Sequence, residues 1–179
     1  MIHYINPDER LTISKVREIV DNHMELALSD EAKRRIQKCR DYLNKKMETQ
    51  KEPIYGVTTG FGSLCNISIS KEQLSQLQKN LVMSHACGVG DEVPQEVVRL
   101  MLLLKALNFC FGYSGAQLQT VQRLIDCYNN DVLPIVYQQG SRSGWCFYAR
   151  IRNHIENRLV TLVANASDDG DGELSHILC

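Results

Sequence analysis

The segment PIYGVTTGFGSL, Pro53 to Leu64, sets Gly56, Gly60 and Gly62 around Tyr55 and Phe61. A segment so rich in glycine can move, or can let its backbone approach a ligand closely. Phosphate is a poor candidate for that ligand. Gly60-x-Gly62 lacks the third glycine of a dinucleotide fingerprint and any Lys-Ser/Thr ending, and no strand-like run precedes it. The plainer alternative is a connection between two helices. Thirty positions after Tyr55, within NLVMSHACGVG (Asn80 to Gly90), Ser84 and His85 fall in the last turn of a helix expected to stop at Gly88 and Gly90. An imidazole there can cap the helix end by donating to a carbonyl, or can face a ligand as its tautomer dictates. The run VLPIVYQQGS, Val132 to Ser141, reads as an extended stretch entering a Gly-Ser turn and specifies no chemistry alone.

Metal chemistry has little support. The five histidines lack the i, i+4 spacing that aims two imidazoles at one ion. The seven cysteines are an odd number, widely scattered, with no Cys-x-x-Cys pair, so they read as small buried thiols rather than as a disulfide frame or a zinc site. NASDDGDGEL near the end suggests a calcium loop, but aligning Gly172 with the sixth position puts Leu178 where a bidentate Glu is required.

The chain has 179 residues, 44% hydrophobic and 23% charged, enough for one real core. Its 20 Lys+Arg against 21 Asp+Glu leave no positive excess to neutralise phosphates, so nucleic acid is not expected as a partner. The longest apolar stretch, Val93 to Phe111, is interrupted by Glu96, Arg99 and Lys105, which are costly at bilayer depth; no membrane span is expected. The opening MIHYINPDER has no basic region followed by an apolar run, giving the expectation of a cytoplasmic chain.

The elements that would position these residues are mainly helical. Ser29 caps a helix over about 30–49, with Asp30 and Glu31 in its first turn and Ala32, Ile36, Cys39, Leu43 and Met47 on one face. A shorter helix starts after Thr12 and ends near Asp21-Asn22. Ser70-x-x-Gln73 has the form of a capping box, followed by Leu74, Leu77 and Leu81 at helical spacing. After Pro94, VVRLMLLLKALNFCF is apolar around most of its circumference, which calls for burial on several sides and for a partner subunit or further sequence to cover it. Another helix begins near Ser114-x-x-Gln117 and carries Leu118, Val121, Leu124, Ile125 and Tyr128. A last helical pattern covers 151–164. Little sequence is left for strands, and the fold class expected is mainly α with glycine-rich loops.

Taken in order and spacing, YGVTTGFGSL, NLVMSHACGVG, FGYSGAQL and DVLPIVYQQGS resemble the N-terminal part of the histidine ammonia-lyases, within the aromatic amino-acid ammonia-lyases and aminomutases. The resemblance covers residues 1–141, and the Ser84-His85 pair is what points to the histidine branch rather than to relatives acting on Phe or Tyr. It implies the helical N-terminal portion of that fold and the non-oxidative loss of ammonia from L-histidine to give trans-urocanate. It further implies that Tyr55 is the acid/base, a role needing a phenol lowered from its usual pKa of about 10. Gly56, Gly60 and Gly62 would let its loop close, and His85 would lie against the substrate imidazole. The intact family is homo-oligomeric.

The family's electrophile is a 4-methylidene-imidazol-5-one group made from an internal Ala-Ser-Gly a few residues past the Gln-Gly-Ser turn. After Ser141 this chain departs from that pattern. Arg142-Ser143-Gly144 arrives about two positions early and the Asp-Leu-Ala-Pro that should follow is absent, so Ser143 and Gly144 are weak candidates for cofactor formation. Residues 142–179 are therefore read as a divergent tail. The resemblance implies a truncated chain that lacks the electrophile and the C-terminal region and is inactive alone, with a shift of reading frame near Ser141 as one origin. A frame shifted by one inserted nucleotide reproduces Ser143 to Phe147 but fails at Tyr148. A non-catalytic fragment that packs its Val97–Phe111 helix on intact lyase subunits is the alternative.

Overall fold

In the computed structural model, residues 1–49 and 88–140 are described, with 52–55, 57–60, 62–65, 67–69, 73, 76, 77 and 80 between them. These residues fall into two compact units: Met1–Lys46 with Pro94–Leu133, and Met47–Val93 with the residues from Pro134 onward.

The first unit opens with β1 (Ile2–Ile5), α1 (Ile13–Asp21), β2 (Glu25–Leu28) and α2 (Asp30–Thr49). Strands β1 and β2 pair in parallel, Ile2 opposite Glu25 and Ile5 opposite Leu28. Period-two alternation turns Ile5, Leu26 and Leu28 into the core while Ile2 and Tyr4 stay exposed. Helix α1 starts where Thr12 accepts a hydrogen bond from the Lys15 N–H on its hydroxyl (3.2 Å) and buries Ile19. Ser29 likewise accepts from the Ala32 N–H at 3.2 Å, and α2 covers 30–49 as the periodicity predicts.

Two more helices complete this core. Helix α3 (Gln95–Cys110) packs on α4 (Leu118–Asn129), on α1 and on β1, while α4 lies against β2. Val98, Leu102, Leu103, Ala106, Phe109 and Cys110 of α3 meet Val121, Leu124, Ile125 and Tyr128 of α4 in one buried set. Burial pushes the Cys110 thiol up to about 12, as expected for an inert core cysteine, and Cys39, Cys65, Cys110 and Cys127 are all free thiols.

The parallel pair leaves one edge of β2 open, because Glu25 and Ser29 direct their N–H groups to the Met1 and Ile5 carbonyls and Leu26 faces the other way. Asn129, at the end of α4, closes that edge with both ends of its amide. Its oxygen accepts from the Leu26 N–H at 2.8 Å and its nitrogen donates to the Leu26 carbonyl at 2.9 Å. Asn129→Ala leaves both backbone groups without partners and is expected to lower stability by about 1–2 kcal/mol in urea unfolding.

On the surface, Glu31 accepts hydrogen bonds from Arg34 (2.7 and 2.8 Å) and Arg35 (2.6 Å), and Arg35 also holds Asp8 at 2.7 and 2.9 Å. The bonds from Arg34 and then Arg35 lower the Glu31 carboxyl to about 2 from an ordinary 4.5. Between those values the unfolded chain binds the proton more readily. The contribution of Glu31 to stability is therefore complete above about 4.5 and lost as pH falls to about 2. A carboxyl carbon titration by NMR checks this; Glu31→Gln should flatten the same limb of the stability curve.

In the second unit, β3 (Gly88–Glu92) pairs antiparallel with β4 (Tyr137–Gly140), Gly88 opposite Gly140 and Glu92 opposite Tyr137, with a bulge between Val89 and Glu92. Gln73, Gln76, Leu77 and Asn80 are helical, in keeping with the helix predicted after Ser70.

Two expectations need correction. Gly88 and Gly90 do not simply end a helix but lie in β3, where an added Cβ at Gly88 would meet the Tyr137 side chain at 3.2 Å and Gly90 takes φ +85°. Strands of four or five residues leave too little alternation to stand out from the helical background. The helix expected from Ser114 starts at Leu118, because Gln117 is its extended N-cap (φ −74°, ψ 145°) and Gly115 is held on α2 by Cys39 and Arg40. No helix among the described residues is long and apolar enough to cross a membrane.

Candidate functional site

Tyr55 stands on a closed turn. The Ile54 carbonyl accepts from the N–H groups of Val57 (3.1 Å) and Thr58 (2.9 Å), while the Ile54 N–H donates to Thr58 Oγ1 at 2.8 Å. Both polar groups of Ile54 are thus tied to the far end of the turn, with Tyr55 held inside the ring. Beyond it the chain pairs with itself: Thr59 bridges Ser68, the Gly60 N–H donates to the Ile67 carbonyl (3.2 Å), and the Ile69 N–H donates to the Thr58 carbonyl (2.9 Å). Val57, Thr59 and Gly60 are buried under this ribbon, and the Thr59 hydroxyl donates to the Gly60 carbonyl at 2.9 Å.

The Tyr55 side chain instead remains 60% exposed, so its phenol is available to a small molecule. Its hydroxyl oxygen lies 3.5 Å from the Gly62 N–H, at the long limit of a hydrogen bond. Gly62 has φ +57° and begins a 3-10 turn, Gly62–Leu64, closed by the Cys65 N–H on its carbonyl (3.2 Å). An added Cβ there would meet nothing, so backbone angle, and not space, selects glycine at this position. The segment is more than a plain connection between helices: its two arms form hydrogen bonds to each other.

Of the residues singled out in the sequence, the structure brings Tyr55, Gly60 and Gly62 into this one loop. Gly56, Ser84, His85, Ser143 and Gly144 lie outside the described residues. The β3–β4 ribbon joins the end of NLVMSHACGVG to the end of DVLPIVYQQGS, motifs separated by some fifty positions. Sequence reasoning passed over Thr58, whose side chain closes the turn, and Thr59, which bridges Ser68 across the ribbon. The three β-branched residues Val57, Thr58 and Thr59 between glycines were the available signal for local extended pairing.

The resemblance implies a self-formed electrophile built from Ala-Ser-Gly, and the 179 residues contain no such tripeptide. Among the described residues Tyr113-Ser114-Gly115 is the nearest in form. It is fixed on α2, with the Gly115 N–H on Cys39 Sγ (3.2 Å) and the Gly115 carbonyl accepting from Arg40 (3.4 Å). A glycine nitrogen held in this way is not placed to close a ring, so these residues do not fit the precursor. No cluster of three or more metal-ligating side chains occurs among the described residues.

Comparison with known proteins gives a consistent result. The family model for aromatic amino acid lyases matches residues 11–144. A histidine ammonia-lyase from Caldanaerobacter subterraneus subsp. tengcongensis is 44% identical over 131 residues, 73% of this chain and 26% of that protein. Among solved structures, histidine ammonia-lyase from Trypanosoma cruzi superposes with a TM-score of 0.67 at 30% identity, over 79% of this chain and 27% of that one. Phenylalanine aminomutase from Pantoea agglomerans gives a TM-score of 0.75 at 26% identity, over 83% and 29%. The chain spans about a quarter of the length of the curated relatives it matches. With a mainly helical fold shared with these enzymes and a family match over most of its length, the chain belongs to the aromatic amino acid lyases.

Proposed function

We propose that residues 1–141 carry the N-terminal share of a histidine ammonia-lyase site, with L-histidine as substrate and trans-urocanate and ammonia as products. Elimination from L-histidine requires a weakly acidic β-proton to be removed and an amino group to leave. Tyr55 Oη is the group that takes or returns a proton, and His85 lies against the substrate imidazole, exchanging a hydrogen bond with it. The observation that carries this reading is the exposed Tyr55 phenol on a hydrogen-bonded turn, with its oxygen turned toward Gly62 at the start of the glycine-lined loop. Gly56, Gly60 and Gly62 give the loop its closing motion. The free thiols support a reducing, cytoplasmic setting.

The 179-residue polypeptide alone is not competent, because the electrophile precursor is not in its sequence and Ser143-Gly144 does not replace it. Incubation with L-histidine should give no rise in urocanate absorbance. Turnover that is abolished by nucleophiles attacking the electrophile would overturn this.

A second reading, assembly with intact lyase subunits, is favoured by one observation. Val97, Leu104 and Phe111 are exposed at intervals of seven along α3 and its C-cap, an apolar stripe left without cover in its unit. Co-elution with an intact histidine ammonia-lyase, lost on Leu104→Glu, distinguishes assembly from a chain that acts alone.

A further inference from the structure

We infer that Thr58 is a positioning residue for Tyr55, an inference that rests on the reading of Tyr55 as the acid/base. The hydroxyl of Thr58 closes the Ile54–Thr58 turn, accepting the Ile54 N–H at 2.8 Å while the Thr58 N–H donates to the Ile54 carbonyl at 2.9 Å. Tyr55 follows Ile54 directly, so the direction of its Cα–Cβ bond is set by this reciprocal pair. The carbonyl of Thr58 accepts from the Ile69 N–H at 2.9 Å, which anchors the turn on the Thr59–Ser68 ribbon. Tyr55 makes its long contact with the Gly62 N–H from that anchored base. Gly60 and Gly62 supply freedom beyond Thr58, while Thr58 fixes the root of the phenol. A loop that closes over a substrate needs both, because an acid/base displaced by about an ångström loses most of its advantage.

Valine is nearly isosteric with threonine but offers no acceptor, whereas serine keeps the hydroxyl. The experiment uses the full chain as wild type, Thr58→Val and Thr58→Ser. It reads amide hydrogen exchange at Ile54, the ring resonances of Tyr55 and the cross-relaxation between the Tyr55 ring and the Gly62 amide. In Thr58→Val the Ile54 amide should exchange roughly three- to tenfold faster. The Tyr55 resonances should shift and the Gly62 contact weaken, while Thr58→Ser returns all three to wild-type values. Core amides of Ile19 and Ile125 report whether the first unit is folded throughout. If Thr58→Val keeps the Tyr55 resonances and the Gly62 contact of the wild type, the assignment is overturned. A separate addition of L-histidine to the wild type tests the acid/base reading: unmoved Tyr55 signals would count against that reading while leaving the Thr58 result intact.

Discussion

Gly112→Val is expected to destabilise the first unit by roughly 2–5 kcal/mol, measured as a shift of the urea midpoint with the denaturant slope held constant. Two independent costs meet at this residue. Its φ of +74° is a left-handed backbone angle that a β-branched side chain strongly resists. An added Cβ would also stand 2.8 Å from the Arg35 carbonyl oxygen, a backbone atom of α2 that cannot move without bending the helix. Gly62 separates the two effects, because it shares the sign of φ (+57°) but has open space around its Cβ position. Gly62→Ala should therefore cost only about 1 kcal/mol. Gly115 falls between them. Its Cβ would meet Leu43 Cδ2 at 2.7 Å, but that atom is the end of a flexible side chain.

Arg99→Ala should cost roughly 2–4 kcal/mol, chiefly through lost packing of its long stem. The residue is only 9% exposed on α3. Its guanidinium lies 5.0 Å from the Tyr128 ring centroid, donates to the Tyr128 carbonyl at 3.5 Å and pairs with Asp131. Burial raises the Tyr128 phenol above its ordinary range, with Arg99 acting in the opposite direction. The Asp131 side chain is 70% exposed, so solvent screens the ion pair and the apolar stem carries most of the energy. Arg99→Met, which keeps the stem and removes the charge, is expected to fall within about 1 kcal/mol of wild type. Asp131 has φ +56°, and Asp131→Asn tolerates that angle while removing the charge, at a cost of about 1–2 kcal/mol. Thermal unfolding of the three variants in low and high salt checks the order.

Much of the helical scaffold was legible because caps and periodicity agree. Ser29, Asp30 and Glu31 mark the start of α2, and the recurrence of Ala32, Ile36 and Cys39 marks its buried side. The strands were not. Ile2–Ile5 is held by a partner more than twenty residues away, and no local signal announces a parallel pairing of four residues. Gly88 and Gly90 read as helix breakers in the sequence yet lie in β3, because glycine spacing carries no information about the strand opposite. For α3 the other elements of its unit cover most of the apolar surface and leave Val97 and Leu104 exposed, in keeping with an expectation of more apolar surface than these helices can cover, whereas the burial of charged Arg99 was not expected. Burial of an arginine depends on Tyr128 and Asp131, about thirty positions away, and was invisible to periodicity. At the site, glycine content drew attention to the loop and the family resemblance supplied the role expected of Tyr55, but the turn that orients the phenol depends on Thr58 hydrogen bonds that composition does not announce.

The central claim is that Tyr55 and His85 face one amino-acid ligand. Isotope-filtered cross-relaxation between bound L-histidine and the labelled chain tests it most directly. The expected result is contact from a single bound L-histidine to both the Tyr55 ring and the His85 imidazole. Contacts confined to one of these rings, or to neither while the chain is folded, would contradict it.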